Sequence, residues 1–111
     1  MSEIIDGRKI MHMMIMFDLP TDTAEHRHYA HKFREYLLDL GFSMWQYSVY
    51  TKNIGAKDLC PKYISAVKQN APKSGNISIL FFTDKQFGDM IFIGNEDYVD
   101  IPKPQEQFML F

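Results

Sequence analysis

Asp18 closes an almost unbroken apolar run, Ile10 to Leu19 (I-M-H-M-M-I-M-F-D-L), and Pro20 follows directly. A carboxylate at the end of a buried strand lies at the rim of a sheet, where it can hold a cation. One carboxylate alone holds Mg²⁺ weakly, because that ion takes six oxygens and keeps several waters. A twofold dimer would double the supply by bringing two copies of Asp18 toward one axis. The other use open to Asp18 is as a turn carboxylate accepting backbone N–H bonds from Thr21 or Thr23. A second group is cationic: Arg27, His28, His31, Lys32 and Arg34, with Glu35 among them, fall opposite the apolar stripe of a predicted helix. Such a run serves either as a solvated face or as a patch that tracks phosphates without reading sequence.

Other reactive residue types form no working set. Of His26, His28 and His31, only the last two are neighbours on a helix, and no Cys or further carboxylate completes a ligand set. His12 is internal to the first apolar run and reads as a core or interface histidine. Cys60 has no His or Asp arrangement to activate it, and no strained nucleophile turn is present. The six glycines are scattered as turn punctuation, so there is no phosphate-cradling loop.

The elements that must position these residues follow from pattern. Ile10 to Leu19, short and stopped by Pro20, suggests a strand buried on both faces and central in its sheet. Asp22 and Glu25 make a capping pair for a helix over about 23–40, which stops at Gly41. Tyr29, Phe33, Tyr36, Leu37 and Leu40 give that helix one buried stripe. Phe42 to Lys52 is aromatic and β-branched, as one strand or two joined by a bend. A second helix fits 57–70, with Asp58 as N-cap and Pro61 in its first turn. Strands are predicted at 76–83 and 86–93, joined by Asp84-Lys85, and a last one at 106–111. The order β-α-β-(β)-α-β-β is an α+β, ferredoxin-like plait: an antiparallel sheet with two helices on one face. The opposite face then needs covering, by dimerisation through the sheet. The C-terminal Phe108, Met109, Leu110 and Phe111 are expected to pack on the partner subunit as an extra strand. Residues 1–9 read as an N-terminal extension and 10–111 as a single domain.

Composition bounds the function. The 111 residues are 46% apolar and 23% charged, with 12 Lys plus Arg against 14 Asp plus Glu, which excludes a disordered tail protein and binding by bulk charge alone. Aromatics at 14% and 8 methionines suit a padded core or a subunit interface. The single cysteine excludes an internal disulfide and fits a reducing compartment. The start has no signal-peptide core, and the longest apolar run, Met13 to Phe17, is too short to span a bilayer. A soluble, cytoplasmic protein is expected, with no membrane partner.

Met14-Ile-Met-Phe-Asp18-Leu-Pro-Thr-Asp-Thr, a helix beginning near Arg27, and Gly41-Phe-Ser-Met-Trp-Gln46-Tyr-Ser48-Val49-Tyr50 together resemble the small CRISPR-associated adaptation protein family Cas2. Pro72-Lys-Ser-Gly-Asn-Ile and Thr83-Asp-Lys-Gln-Phe look similar to members from type II systems. The resemblance covers about 9–111. It implies a homodimer of ferredoxin-like subunits with exchanged C-terminal strands, and a tight bend splitting Phe42 to Lys52. It also implies a place between two dimers of the integrase Cas1, capturing a short double-stranded DNA (the protospacer) for insertion as a new spacer. Several members are described as Mg²⁺-dependent endonucleases on RNA or DNA, with the strand-end aspartate, here Asp18, as catalytic metal ligand. Two Asp18 carboxylates would then hold a hydrated Mg²⁺ that lowers the pKa of a bound water and screens the scissile phosphate. Arg27, His28, His31, Lys32 and Arg34 would contact nucleic acid, with an affinity that falls steeply with salt. No other acid or base is placed to help Asp18, so the scaffold role is expected to dominate. The alternatives are a protein whose main work is metal-dependent cleavage of RNA or DNA, and a ferredoxin-like regulator that binds a small ligand.

Overall fold

Eleven consecutive residues, Arg8–Asp18 (β2), form the strand around which the rest is arranged. The computed structural model describes the backbone of residues 4–5 and 8–94 and the side chains of 10–94. Ile4–Ile5 (β1) pairs back on Lys9 and Arg8 in a short hairpin. After β2 come α1 (Ala24–Asp39), β3 (Ser43–Gln46), β4 (Val49–Ala56), a 3₁₀ turn (Lys57–Leu59), α2 (Cys60–Asn70), β5 (Asn76–Thr83) and α3 (Asp84–Gly88). β4 lies along one side of β2, from Ile10 opposite Ala56 to Met16 opposite Val49. β5 lies along the other, from Met11 opposite Thr83 to Asp18 opposite Asn76. With β3 outside β4, the order β5-β2-β4-β3 is fully antiparallel and ferredoxin-like.

Flanked on both sides, covered by the helices on one face and partly covered on the other, β2 has little use for polar residues, which is why its sequence hardly alternates. Met13, Ile15 and Phe17 face the helices and are buried against Phe33 and Leu37 of α1, Cys60 and Val67 of α2, and Phe42, Tyr50 and Ile54. Each such side chain contributes about 1.5–3 kcal/mol of burial. Both long helices therefore share one face of the sheet, as expected.

The second face departs from expectation. The predicted strand over 86–93 is instead the short helix α3 followed by irregular chain. The reason is a capping box: the Gln86 N–H donates to Thr83 Oγ1 (3.1 Å) and the Thr83 N–H to Gln86 Oε1 (2.9 Å). These bonds outweigh the β propensity of Phe87, Ile91 and Phe92. The helix delivers Phe87, fully buried, onto the back of β2, where it stacks on the His12 ring at 4.4 Å and meets the edge of Trp45 at 5.2 Å. His12 Nε2 lies 2.8 Å from Asp84 Oδ1, so this 2% exposed histidine is a core residue engaged by a carboxylate. The chain thus covers part of this face itself. A shallow hollow remains between Met14, Met16, Trp45, Val49, Met90 and Phe92.

Two caps also differ. Thr23, not Asp22, caps α1 by accepting from the His26 N–H at 3.0 Å; Asp22 instead pairs with His26 Nδ1 at 2.6 Å. Asp58 lies inside the 3₁₀ turn, and α2 starts after Leu59 without a side-chain cap, with Pro61 in its first turn. Gly41 takes the left-handed position (φ +99) that ends α1, with the Phe42 N–H reaching Leu37 O at 3.0 Å. Phe42 to Lys52 is two strands, hinged at Tyr47-Ser48. The final predicted strand, with Phe108, Met109, Leu110 and Phe111, lies outside the described residues.

Candidate functional site

Asp18 is the last residue of β2, and it is exposed while its predecessor is not. Phe17 is buried against Phe33 (edge-on, 5.2 Å) and Tyr50 (stacked, 5.7 Å), so the strand is anchored one residue before the carboxylate emerges. The α2–β5 loop closes against this end through Gly75. Its φ is +95, and a Cβ there would come within 2.7 Å of Asp18 O and 2.8 Å of Leu19 Cδ2. The turn role open to Asp18 is not taken up. Among the described residues its carboxylate has no hydrogen-bond or ion-pair partner, and Thr23 turns its hydroxyl to α1 instead. No group of three or more His, Cys, Asp or Glu gathers anywhere among the described residues. A cation at Asp18 would need ligands beyond the described residues.

The bend between β3 and β4 sits at the same end of the sheet. Ser48, a non-glycine residue, is left-handed (φ +68), a conformation that costs energy and persists only where neighbours enforce it. The Phe17 N–H donates to Ser48 O at 3.0 Å, and Arg34 Nη2 donates to Ser48 Oγ at 3.1 Å. The Arg34 guanidinium lies over the rings of Tyr47 (4.3 Å) and Phe17 (5.3 Å). Arg34 is therefore half-buried and turned toward the sheet end, apart from the open helix face on which the sequence places it. Tyr50, beneath the bend, has its hydroxyl pKa raised by burial, with Arg34 opposing the shift and Tyr47 adding to it.

The remaining cations of α1 stay outside. Arg27, His28, His31 and Lys32 are exposed; Arg27 Nη1 donates to Thr21 O at 3.0 Å and His31 Nε2 lies 3.2 Å from Glu35 Oε2. His28 meets Tyr29 edge-on, and His26 is engaged with Asp22, so the three histidines go separate ways. An open cleft of about 560 Å³ runs between α1 and the 71–74 loop, walled by Leu19, Tyr29, Lys32, Asn70 and Lys73. Cys60 is buried and burial pushes its thiol pKa up, the opposite of an activated nucleophile. Sequence reading missed Tyr47. Its signal was the absence of Gly, Pro or Asn in the segment, which forces an ordinary residue into the bend.

The described residues form a small α+β plait, ferredoxin-like in arrangement, with an uncommitted carboxylate at the tip of its central strand. Residues 11–90 match the family described as CRISPR associated protein Cas2. A Streptococcus mutans protein named CRISPR-associated endoribonuclease Cas2 is 48% identical over 86 residues, 78% of this chain and 79% of its own length. Proteins of the same name from Flavobacterium psychrophilum and Paracidovorax avenae are each 36% identical, over 99 and 108 residues. These alignments cover 89% and 97% of this chain and 86% and 100% of the relatives. The chain belongs to the Cas2 family of CRISPR associated proteins.

Proposed function

We propose that this chain is a CRISPR-associated, metal-dependent endonuclease subunit that works as a homodimer, with one Asp18 from each copy at a shared site. Asp18 carries the reading: an exposed carboxylate, free of partners among the described residues, at the end of the central strand of the sheet. The names of the relatives supply RNA as the first substrate to try. The donor set suits Mg²⁺, which is held by one or two carboxylates and otherwise keeps its waters, whereas zinc would call for three or four N or S ligands. When bound, the ion supplies Lewis-acid stabilisation of charge on the phosphate and makes water a better nucleophile. The chain itself holds the carboxylate in place. Phe17 and Tyr50 fix the strand end, and Gly75 lets the neighbouring loop pass without displacing it.

The same dimer serves the CRISPR adaptation complex as a DNA-bridging scaffold between two integrase Cas1 dimers. The exposed Arg27, His28, His31 and Lys32 support this as a phosphate-tracking flank for protospacer DNA. The apolar second face of the sheet, with Met16 exposed in the single chain beside the exposed Ile91 and Ile93, supports the dimer. Asp18→Asn is the test. Cleavage of a labelled single-stranded RNA in Mg²⁺ is expected to fall by at least about 100-fold, since the substitution removes charge without changing shape. An unchanged rate overturns the catalytic reading. Asp18→Ala separates the roles: spacer acquisition with the integrase is expected to persist, and its loss while the complex still assembles overturns the scaffold.

A further inference from the structure

We propose that Tyr47 is a stacking platform for an unpaired base of the nucleic acid, held beside Asp18 by Arg34. The inference rests on the nuclease reading and adds to it the residue that grips the strand. Tyr47 is 73% exposed, far more than its neighbour Trp45, and stands at the tip of the bend. An aromatic ring at a protein surface usually lies down on its surroundings. This one is instead backed on one side by a cation, with the Arg34 guanidinium 4.3 Å from its centroid.

Arg34 is committed to that position. Its Nη2 binds Ser48 Oγ, its plane also covers Phe17, and its Nε is buried without a hydrogen-bond partner among the described residues. An arginine placed for phosphates keeps its N–H fork in solvent. This one gives up a hydrogen bond to stay between two rings. The strained Ser48 points the same way, since left-handed serine at a bend marks a conformation kept for its geometry.

The bend is tied to the catalytic strand rather than merely near it. Ser48 O accepts from the N–H of Phe17, so Tyr47 and Asp18 are each one residue from the ends of a single 3.0 Å hydrogen bond. Chain steps and one cross-strand pairing bound their Cα separation at about 13 Å. A base stacked on the free face of Tyr47 therefore places its strand within reach of the Asp18 edge. Stacking is tolerant of base identity and demands an unpaired base, so the site takes single strands, loops or frayed ends rather than an intact duplex.

Binding of a fluorescein-labelled single-stranded oligoribonucleotide to the full chain, without divalent metal, tests this by anisotropy. The same strand with abasic residues and a blunt RNA duplex serve as controls. Tyr47→Ala is expected to weaken binding of the intact strand by about 5- to 100-fold and to leave abasic-strand and duplex binding unchanged. Tyr47→Phe and Tyr47→Trp should bind as the parent does. Arg34→Lys keeps the charge but loses the planar backing, and should weaken the intact strand alone. Equal losses on intact and abasic strands would mean that Tyr47 only braces the bend, and would overturn the proposal; so would unchanged binding by Tyr47→Ala. The Asp18→Asn chain should show the same Tyr47 dependence, so lost cleavage with retained stacking separates the two readings. If the parent chain binds no strand at all, the nucleic-acid reading itself falls, and this one with it.

Discussion

Asp22 and His26 show how a pair on one helix turn carries a pH signature. The hydrogen bond from His26 holds the Asp22 carboxyl below its ordinary value of 3.8, with backbone N–H bonds adding to the effect. A group whose folded pKa is lowered stabilises the native state above its unfolded pKa, and that stabilisation is lost as pH falls through the folded value. Asp22→Asn is therefore expected to melt slightly below the parent near pH 6, and to converge with it as the pH falls through the lowered carboxyl pKa. A series of thermal melts checks this; a gap that widens in acid would contradict it. Cys60 makes a second residue-scale prediction. Its burial and raised pKa should make a disulfide reagent at pH 8 react slowly with the native chain and quickly in denaturant. Asp18 was readable as a rim carboxylate because a continuous apolar run followed by Asp-Leu-Pro locates a strand end. Arg34 was not, because helical periodicity gives only the direction in which a side chain leaves its helix. The long stem of arginine then carries its head toward Tyr47 and Phe17, a tertiary contact with no local signature.

At the scale of elements, α3 decides how the back of the sheet is finished. Phe87→Ala would leave a cavity against His12 and Trp45 and is expected to cost about 3–5 kcal/mol. Thr83→Ala removes one half of the capping box and should cost about 0.5–2 kcal/mol. Chemical denaturation measures both, and equal costs would mean that α3 is held by its cap rather than by its aromatic anchor. Gly75→Ala adds strain at φ +95 and a clash with Asp18 O, so it should lower stability and cleavage together. The central strand, both long helices, the Gly41 stop and β5 were legible because period, length and stop residues agreed. The segment after Thr83 was not. Its aromatic and β-branched residues favour a strand, whereas Thr83 and Gln86 stand at the capping-box spacing of a helix start. The hinge at Tyr47-Ser48 lacked Gly, Pro or Asn and was open to sequence only through family resemblance.

For the whole molecule, two expectations concern what lies beyond one chain. Removing Phe108, Met109, Leu110 and Phe111 is expected to give monomer or aggregate in light scattering; an intact dimer would remove the C-terminal strand from the interface. A net charge of −2 means that duplex binding must come from local cations. Affinity should therefore fall steeply with salt, and the slope should flatten when Arg27 and Lys32 are made neutral. A salt-independent affinity would favour a small-ligand role over a polynucleotide one. No helix among the described residues is long and apolar enough to cross a membrane.

The position of β2 has a further consequence. It is synthesised early, yet its two edges are satisfied by β4 (Val49–Ala56) and β5 (Asn76–Thr83), the second of which arrives more than fifty residues later. Contacts so distant in sequence slow folding. Until Thr83 has left the ribosome, a methionine-rich strand waits with an open edge, a state prone to pairing with the wrong neighbour. Expression yield should therefore respond to changes at β5 more sharply than equilibrium stability does, because the last strand ends the period of exposure.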